Sequence, residues 1–272
     1  MGKGSVTYRL ALAWLSFVAL GAAAAGFLPV PAPDQIDWNH LAVAPGVAGH
    51  LLGTDAMGRD LASRIFFGAR VSLVVGIFAP ALGLAVGALL GIVAGYYRGV
   101  VETVVMGAVD AFLAFPRVVF LLMVLFIFGS SLPKVTLALG IVSVPYFARI
   151  ARANTLKVAV QEFVLAARAS GAGNGAVMLR EILPNVMRPL LVYLLLVAGL
   201  LIIAEGALGF LGASVPPPMP SWGGMIAEGR EVLDHAPQVS LIPAAVMFLT
   251  ILSVNVIGER LRARAGISEA QP

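Results

Sequence analysis

The chain contains no cysteine and few charged residues. Without cysteine in its 272 residues, it forms no disulfide, holds no thiolate metal site and carries no cysteine nucleophile. Charged residues make up 12% of the sequence and hydrophobic residues 60%, whereas soluble domains typically contain about 25% charged residues. A water-soluble fold could not bury this much apolar side chain, so lipid is the expected solvent for most of the protein.

The sequence also lacks the short motifs of common catalytic sites. It contains neither G-x-x-x-x-G-K-[ST], which cradles phosphates, nor the zinc-binding H-E-x-x-H. The only histidines are His40, His50 and His235, all in predicted outer loops, and Asp110 has no aspartate partner within a span. No basic cluster is interleaved with aromatic residues, so nucleic acid is not an expected partner. We predict that the chain is not an enzyme and binds no cofactor or metal.

Six apolar segments are long enough, or nearly so, to cross a hydrocarbon core of about 30 Å. Their runs are continuous rather than alternating, which favours helices over barrel strands. The sequence therefore predicts an all-α, polytopic membrane protein with six transmembrane helices. The segments are Leu10–Leu28, Val71–Tyr96, Thr103–Phe128, Val135–Ile150, Pro189–Leu211 and Val239–Ile257.

The distribution of lysine and arginine predicts the orientation. With both termini in the cytoplasm, twelve of these residues fall in inner segments and five in outer segments, as expected from the positive-inside rule. The first apolar run has the alternative interpretation of a signal peptide, but its length favours a retained helix. The inner residues are Lys3, Arg9, Arg98, Arg149, Arg152, Lys157, Arg168, Arg180, Arg188, Arg260, Arg262 and Arg264; the outer ones are Arg59, Arg64, Arg70, Lys134 and Arg230.

Two outer loops, at about 29–70 and 212–238, contain candidate partner contacts. In the first, Thr54 or Asp55 is a candidate helix N-cap. The helix that follows from Arg59 is expected either to lie on the outer leaflet or to form a gate or platform for a partner. In the second loop, four prolines exclude a regular helix before a short helix at Met225–Leu233. Trp222 is an expected interfacial anchor. The candidate partner contacts are Asp55, Arg59, Asp60 and Trp222.

The inner segment 151–188 contains a polar stretch, EFVLAARASGAGNGAVMLREILPN, at 162–185. It predicts a short helix at Gln161–Ser170, then a turn at Gly171, Gly173 and Gly175. Asn174 is a candidate cap for a second helix that runs to Leu183, and Pro184 and Pro189 set the entry into the next span. The segment is either a docking element for a cytoplasmic protein or a plain amphipathic connector.

Three charged residues fall within or at the end of apolar runs, where an unpaired charge costs several kcal/mol. Asp110 and Arg117 are seven residues apart and share a helical face unless Pro116 rotates them away from each other. They form either a structural ion pair or part of a water-lined path. Glu205 lies near the outer end of its span, where water is expected to reach it. The dense glycines of the second span are expected to serve helix packing.

Four stretches together resemble the permease subunit of binding-protein-dependent ABC importers, and in particular the C-type permease of the dipeptide/oligopeptide/nickel group. AARASG followed by ILPN resembles the coupling loop of that family. GTDAMGRDLASRIFFGARVSL and DAFLAFP are similar to its stretches after the first span and in the third. EGALGFLGASVPPPMPSWGGMIAEGR resembles the stretch after its fifth span. Leu165 replaces the glutamate after which the coupling loop is named, and Glu181 stands where an apolar residue is common.

The resemblance implies a type I ABC importer permease fold, with 1–272 as one permease domain and a core at about 70–258. The implied partners are a homologous second permease, two ATP-binding subunits that use ATP and magnesium, and an extracytoplasmic substrate-binding protein, all at the inner membrane. The implied substrates are di- or oligopeptides; nickel, glutathione or another small solute is the alternative. A non-transporting scaffold or receptor is the candidate from another class. The implied ATPase-coupling residues are Glu162, Ala166, Ala167, Arg168, Gly171 and Pro184.

Overall fold

A computed structural model describes residues 3–264, so the predicted domain limits at 1 and 272 lie outside the described residues. This part of the chain is helical, with no β-strand beyond two isolated bridges. The elements are α1 (Lys3–Ala24), α2 (Leu61–Tyr97), α3 (Gly99–Ala114), α4 (Arg117–Phe128), α5 (Leu132–Val158), α6 (Glu162–Ala169), α7 (Asn174–Val177), a π-helical segment (Met178–Ile182), α8 (Leu183–Phe210), α9 (Trp222–Gly229), a 3-10 turn (Arg230–Val232) and α10 (Gln238–Arg264).

Five helices are long and apolar enough to cross a membrane, and a sixth span results if the bent pair α3–α4 counts as one. Four of the five are α1, α2, α5 and α10; the fifth is the continuous helix 174–210. This agrees with the predicted all-α class and with six apolar segments. Within the bundle, α1 packs on α10 and α2: the Trp14 indole donates to the Thr250 hydroxyl, and Arg70 Nε donates to the Ala22 carbonyl.

The third predicted span, Thr103–Phe128, is not one helix. It breaks between α3 and α4, which meet at an angle of 84°. Pro116 lacks a backbone N–H and disfavours helical geometry in the residue before it, so Phe115 is extended, with φ −81° and ψ 133°.

The helix α2 begins ten residues before the predicted start at Val71 and includes the segment expected to lie on the outer leaflet. That expectation is wrong, because Leu61 and Ile65 are buried against α9 and the start of α10. The N-cap is Asp60, whose carboxylate accepts from the Ser63 amide at 2.8 Å. Thr54 and Asp55 do not cap the helix, because their side chains bond within the preceding loop.

The predicted separate helix before the fifth span is also wrong. From Asn174 the chain stays helical through Pro184 and Pro189 into the span. Pro184 has no N–H to offer the Arg180 carbonyl, four residues earlier, and its ring would clash with that group in a regular helix. The π-helical turns at Met178–Ile182 widen the helix immediately before this proline.

The glycines of α2 bring its backbone close to α5, as predicted. A Cβ added at Gly87 would lie 2.6 Å from both the Val144 carbonyl oxygen and the Phe147 Cβ. Gly91 and Gly95 similarly face the backbone of α5. Small residues at this spacing allow two helices to approach closely without a driving force from water.

We expect Gly87→Ala to destabilise the protein by roughly 1–3 kcal/mol, the usual cost of overpacking a close contact. Gly107→Ala, on α3, is the matched control, because its Cβ would meet nothing within 4 Å. The measurement is thermal unfolding of both variants in the same detergent. A Gly87→Ala protein as stable as the Gly107→Ala protein would contradict close packing at this glycine.

Candidate functional site

The coupling segment, defined here as residues 162–185, forms a helix, a tight turn and a second helical stretch. The turn closes α6 with two hydrogen bonds: the Gly171 amide donates to the Arg168 carbonyl, and the Ala172 amide to the Ala167 carbonyl. This is the Schellman arrangement, which requires a left-handed residue after the cap. Gly171 supplies it, with φ +83°.

Tyr96, near the C-terminal end of α2, holds both halves of the coupling segment. Its hydroxyl donates to the Asn174 side-chain oxygen at 2.9 Å, which ties α2 to α7. The Arg168 guanidinium lies 4.7 Å from the centre of the Tyr96 ring, which ties α2 to α6. Asn174 is therefore not the predicted cap, a position that Gly173 takes. The sequence analysis missed Tyr96, because it lies 66 residues before the segment's start at Glu162.

Buried side chains fix the segment to the core, while apolar side chains remain on its surface. Val164, Val177 and Ile182 are each fully buried. In contrast, Leu165 is 50% exposed and Leu179 is 66% exposed. A segment that is anchored on one side and apolar on the other is suited to contact another protein.

The structure places most of the predicted coupling residues on this surface. Five are exposed, and the sixth, Ala167, is half-buried and packs on the core. A Cβ added at Gly171 would meet nothing within 4 Å. The exposed five are Glu162, Ala166, Arg168, Gly171 and Pro184.

Asp110 and Arg117 do not pair with each other. Asp110 accepts from Arg149 of α5 at 2.6 Å, and Arg117 lies 5.6 Å from the centre of the Tyr146 ring. The break at Pro116 lies between them, so Asp110 and Arg117 are on different helices and do not share a helical face. A second ion pair, Glu102 with Arg152, also joins α3 to α5.

Glu205 is not reached by water in the described chain. It is fully buried, although it lies in the last two turns of α8. The chain turns back after α8, and the Ser214 hydroxyl donates to the Glu205 carboxylate. The prediction that water reaches Glu205 is wrong, because the segment that follows α8 covers the carboxylate.

The four predicted outer partner contacts are buried within the chain. Asp55 accepts from Arg59 Nε at 2.7 Å, and Arg59 Nη2 donates to Glu228 at 2.6 Å. Arg64 also donates to Glu228, at 2.8 Å. We call Asp55, Arg59, Arg64 and Glu228 the outer charge network. It joins the loop, the first turn of α2 and α9, so Asp55 and Arg59 have a structural role in place of the predicted direct contact.

Asp60 and Trp222 serve the same junction. Asp60 caps α2, and the Trp222 indole donates to the Ile65 carbonyl at 3.1 Å. Trp222 is fully buried, so the prediction that it anchors at the membrane interface is wrong. The sequence analysis missed Glu228, because its two arginine partners lie more than 160 residues earlier in the chain.

Residues 87–266 match the family described as the binding-protein-dependent transport system inner membrane component. The chain belongs to this family. It is 38% identical over 248 residues to the glutathione transport system permease protein GsiD of Pectobacterium atrosepticum, with 91% of this chain and 82% of that protein covered. It is 40% identical over 215 residues to the dipeptide transport system permease protein DppC of Alkalihalophilus pseudofirmus, covering 79% of this chain and 71% of that protein.

Solved structures of ABC transporters share the fold of this permease. The methionine transporter MetNI, in an inward-facing conformation, matches with a TM-score of 0.62 at 18% identity, over 74% of this chain and 95% of that chain. An amino acid ABC transporter matches with a TM-score of 0.55 at 20% identity, over 72% of this chain and 92% of that chain. The chain is thus a multi-pass inner-membrane permease subunit of an ABC importer, a class in which partner subunits hydrolyse ATP.

We expect Glu228→Gln to destabilise the permease, because it removes the carboxylate shared by Arg59 and by the buried Arg64. The cost should be roughly 1–3 kcal/mol, less than for a fully buried pair, because the Glu228 side chain is 39% exposed. The measurement is thermal unfolding in detergent. Glu231→Gln is the control, since Glu231 is exposed and makes no ion pair within residues 3–264. Equal stability of the two variants would contradict a structural role for the network.

Proposed function

We propose that this permease forms half of a translocation path for di- or oligopeptides and couples to a cytoplasmic ATPase through residues 162–185. The observation that carries the proposal is the coupling segment itself. Its buried valines and isoleucine fix it to the core, while its exposed alanines, leucines and Gly171 are open to a second surface. A plain connector has no need of apolar side chains on its outer face.

Short peptides are the substrate class that the relatives support. The names of two similar permeases specify dipeptides, which fit the main prediction, and glutathione, which fits the alternative and is itself a short peptide. Imported nickel, or another small solute, is the alternative outcome of the transport test.

The distribution of basic residues supports an orientation with both termini and the coupling segment in the cytoplasm. We infer the partners from the family: a second permease, two ATP-binding subunits and an extracytoplasmic binding protein. Exposed apolar side chains on α4, such as Phe126 at 91% and Phe128 at 66%, are available to the second permease or to lipid.

Within this proposal, the coupling segment acts as a rigid lever. A displacement of α6 is passed to α2 through Tyr96 and to α8 through the continuous helix that begins at Asn174. The two helices also pack on each other. Movement of the segment would therefore turn the bundle as one body, as alternating access by rocking requires.

We expect Gly171→Val to uncouple ATP hydrolysis from transport while the permease still inserts and assembles. Valine in a left-handed conformation costs roughly 1–2 kcal/mol, and its side chain adds bulk to the proposed docking surface. If the free energy of docking between the permease and the ATPase falls by a similar amount, roughly 1–2 kcal/mol, transport should fall about tenfold. The measurements are substrate uptake and stimulated ATPase activity of the complex in vesicles.

Two further variants separate the causes. Asparagine tolerates the left-handed conformation, so Gly171→Asn keeps the turn but adds a side chain to the surface. If only Gly171→Val uncouples transport, the cause is distortion of the turn. If both variants uncouple transport, the cause is the side chain added to the docking surface. Gly173→Ala is the matched control, because Gly173 has φ −67° and equally open surroundings. Normal coupled transport by Gly171→Val would overturn the assignment of the segment.

The substrate class is tested with the assembled importer and its binding protein in proteoliposomes. We expect ATP-dependent uptake of a labelled dipeptide, with glutathione as a competitor. Uptake of nickel without peptide uptake would replace the peptide assignment with the alternative. If no ATP-binding subunit co-purified and no solute were transported, the scaffold interpretation would be favoured.

A further inference from the structure

Three side chains in the first outer loop converge outside the membrane helices. They are Asp37, His40 and His50, and one potential ligand atom from each lies within 4.8 Å of the others. Asp37 Oδ2 lies between the two rings, 2.8 Å from His40 Nδ1 and 3.6 Å from His50 Nε2. His50 is buried, and the other two are half-buried, so water reaches the cluster from one side.

A second carboxylate fixes the orientation of His50. Its Nδ1 lies 2.8 Å from Asp60 Oδ2, and both side chains are largely buried. Asp60 also caps α2 by accepting from the Ser63 amide, a role that suits a carboxylate. With Nδ1–H donated to Asp60, the lone pair of His50 lies on Nε2, which faces Asp37. Metal-binding histidines are commonly held in this way, by a carboxylate on the opposite ring nitrogen.

The ligand set selects the class of ion. Two imidazoles and one carboxylate are typical of zinc sites that keep a fourth position for water. Zinc–ligand bonds of about 2.0–2.1 Å place the ligands of a tetrahedral site about 3.3 Å apart. The two separations from Asp37 are 2.8 and 3.6 Å, and all three ligand atoms lie within 4.8 Å of one another, so binding requires a small closure of the cluster. The hard ions calcium and magnesium prefer all-oxygen sites. In place of the expectation from the sequence that the chain binds no metal, we propose that Asp37, His40 and His50 bind one divalent transition-metal ion, Zn²⁺, with Asp60 as a positioning residue.

A bound ion would join two turns of the loop directly through their side chains. Asp37 and His40 belong to one turn, closed by the His40 amide donating to the Asp37 carbonyl. His50 belongs to another, closed by its amide donating to the Val47 carbonyl. Through Asp60, the same ion would tie both turns to the first residue of α2. The site would thus act as a clip that holds the outer loop against the bundle.

The test uses the full-length permease in detergent, purified through an affinity tag without histidine. After incubation with Zn²⁺ and removal of free metal, we expect one zinc per chain by elemental analysis. We expect His40→Ala to lose this zinc, because it removes a ligand from the edge of the cluster without breaking the buried His50–Asp60 pair. His235→Ala is the matched control, since His235 is an exposed histidine of the other outer loop; it should retain the zinc.

Two further measurements separate ligation from folding. Co²⁺ in place of Zn²⁺ should give the intense visible absorption of a four-coordinate site in the wild type and in His235→Ala, but not in His40→Ala. Asp60→Asn keeps a good N-cap for α2 and should lower zinc affinity by roughly 10- to 100-fold. Absence of zinc from the wild type, or retention of zinc by His40→Ala, would overturn the proposal.

Discussion

The close packing of α2 on α5 is the contact on which the rest of the fold depends. Glycines on α2 let its backbone approach the carbonyls of α5, and this seam is the most extensive contact between two of the described helices. Both ends of α2 carry contacts that fix other parts of the chain to this seam. Asp60 caps the N-terminal end of α2 beneath the loop, and Tyr96 holds the coupling segment at the C-terminal end.

This arrangement explains why the two ends of α2 are polar while its middle is not. In the outer charge network, carboxylates from the loop and from α9 pair with two buried arginines. At the C-terminal end, a single tyrosine makes one hydrogen bond and one cation–π contact. The loop and the coupling segment are therefore both anchored on α2. A structural change at either end of this helix acts on the same helix.

Periodicity and composition were sufficient to predict the helical class, the approximate spans and the Gly171 turn. Each of these depends on the local chain: apolar run length, or a glycine at a position that needs positive φ. What could not be predicted depends on contacts distant in sequence. Glu228 meets Arg59 and Arg64 only because α9 folds back onto the loop, and Ser214 covers Glu205 only because the chain reverses after α8.

Some errors were local and have a local cause. Pro116 was treated as a residue that rotates a continuous helix, whereas it ends one helix and begins another. Pro184 was treated as a helix boundary, whereas a π-helical segment accommodates it. The same residue type thus ends one helix and leaves another continuous.

The break at Phe115 has a consequence for how the permease is made. Where α3 ends and α4 begins, backbone groups fall outside regular helical pairing, and the Phe115 side chain is 45% exposed. Hydrocarbon cannot satisfy such groups, so a break at membrane depth must be built against a protein surface or water that completes their bonds.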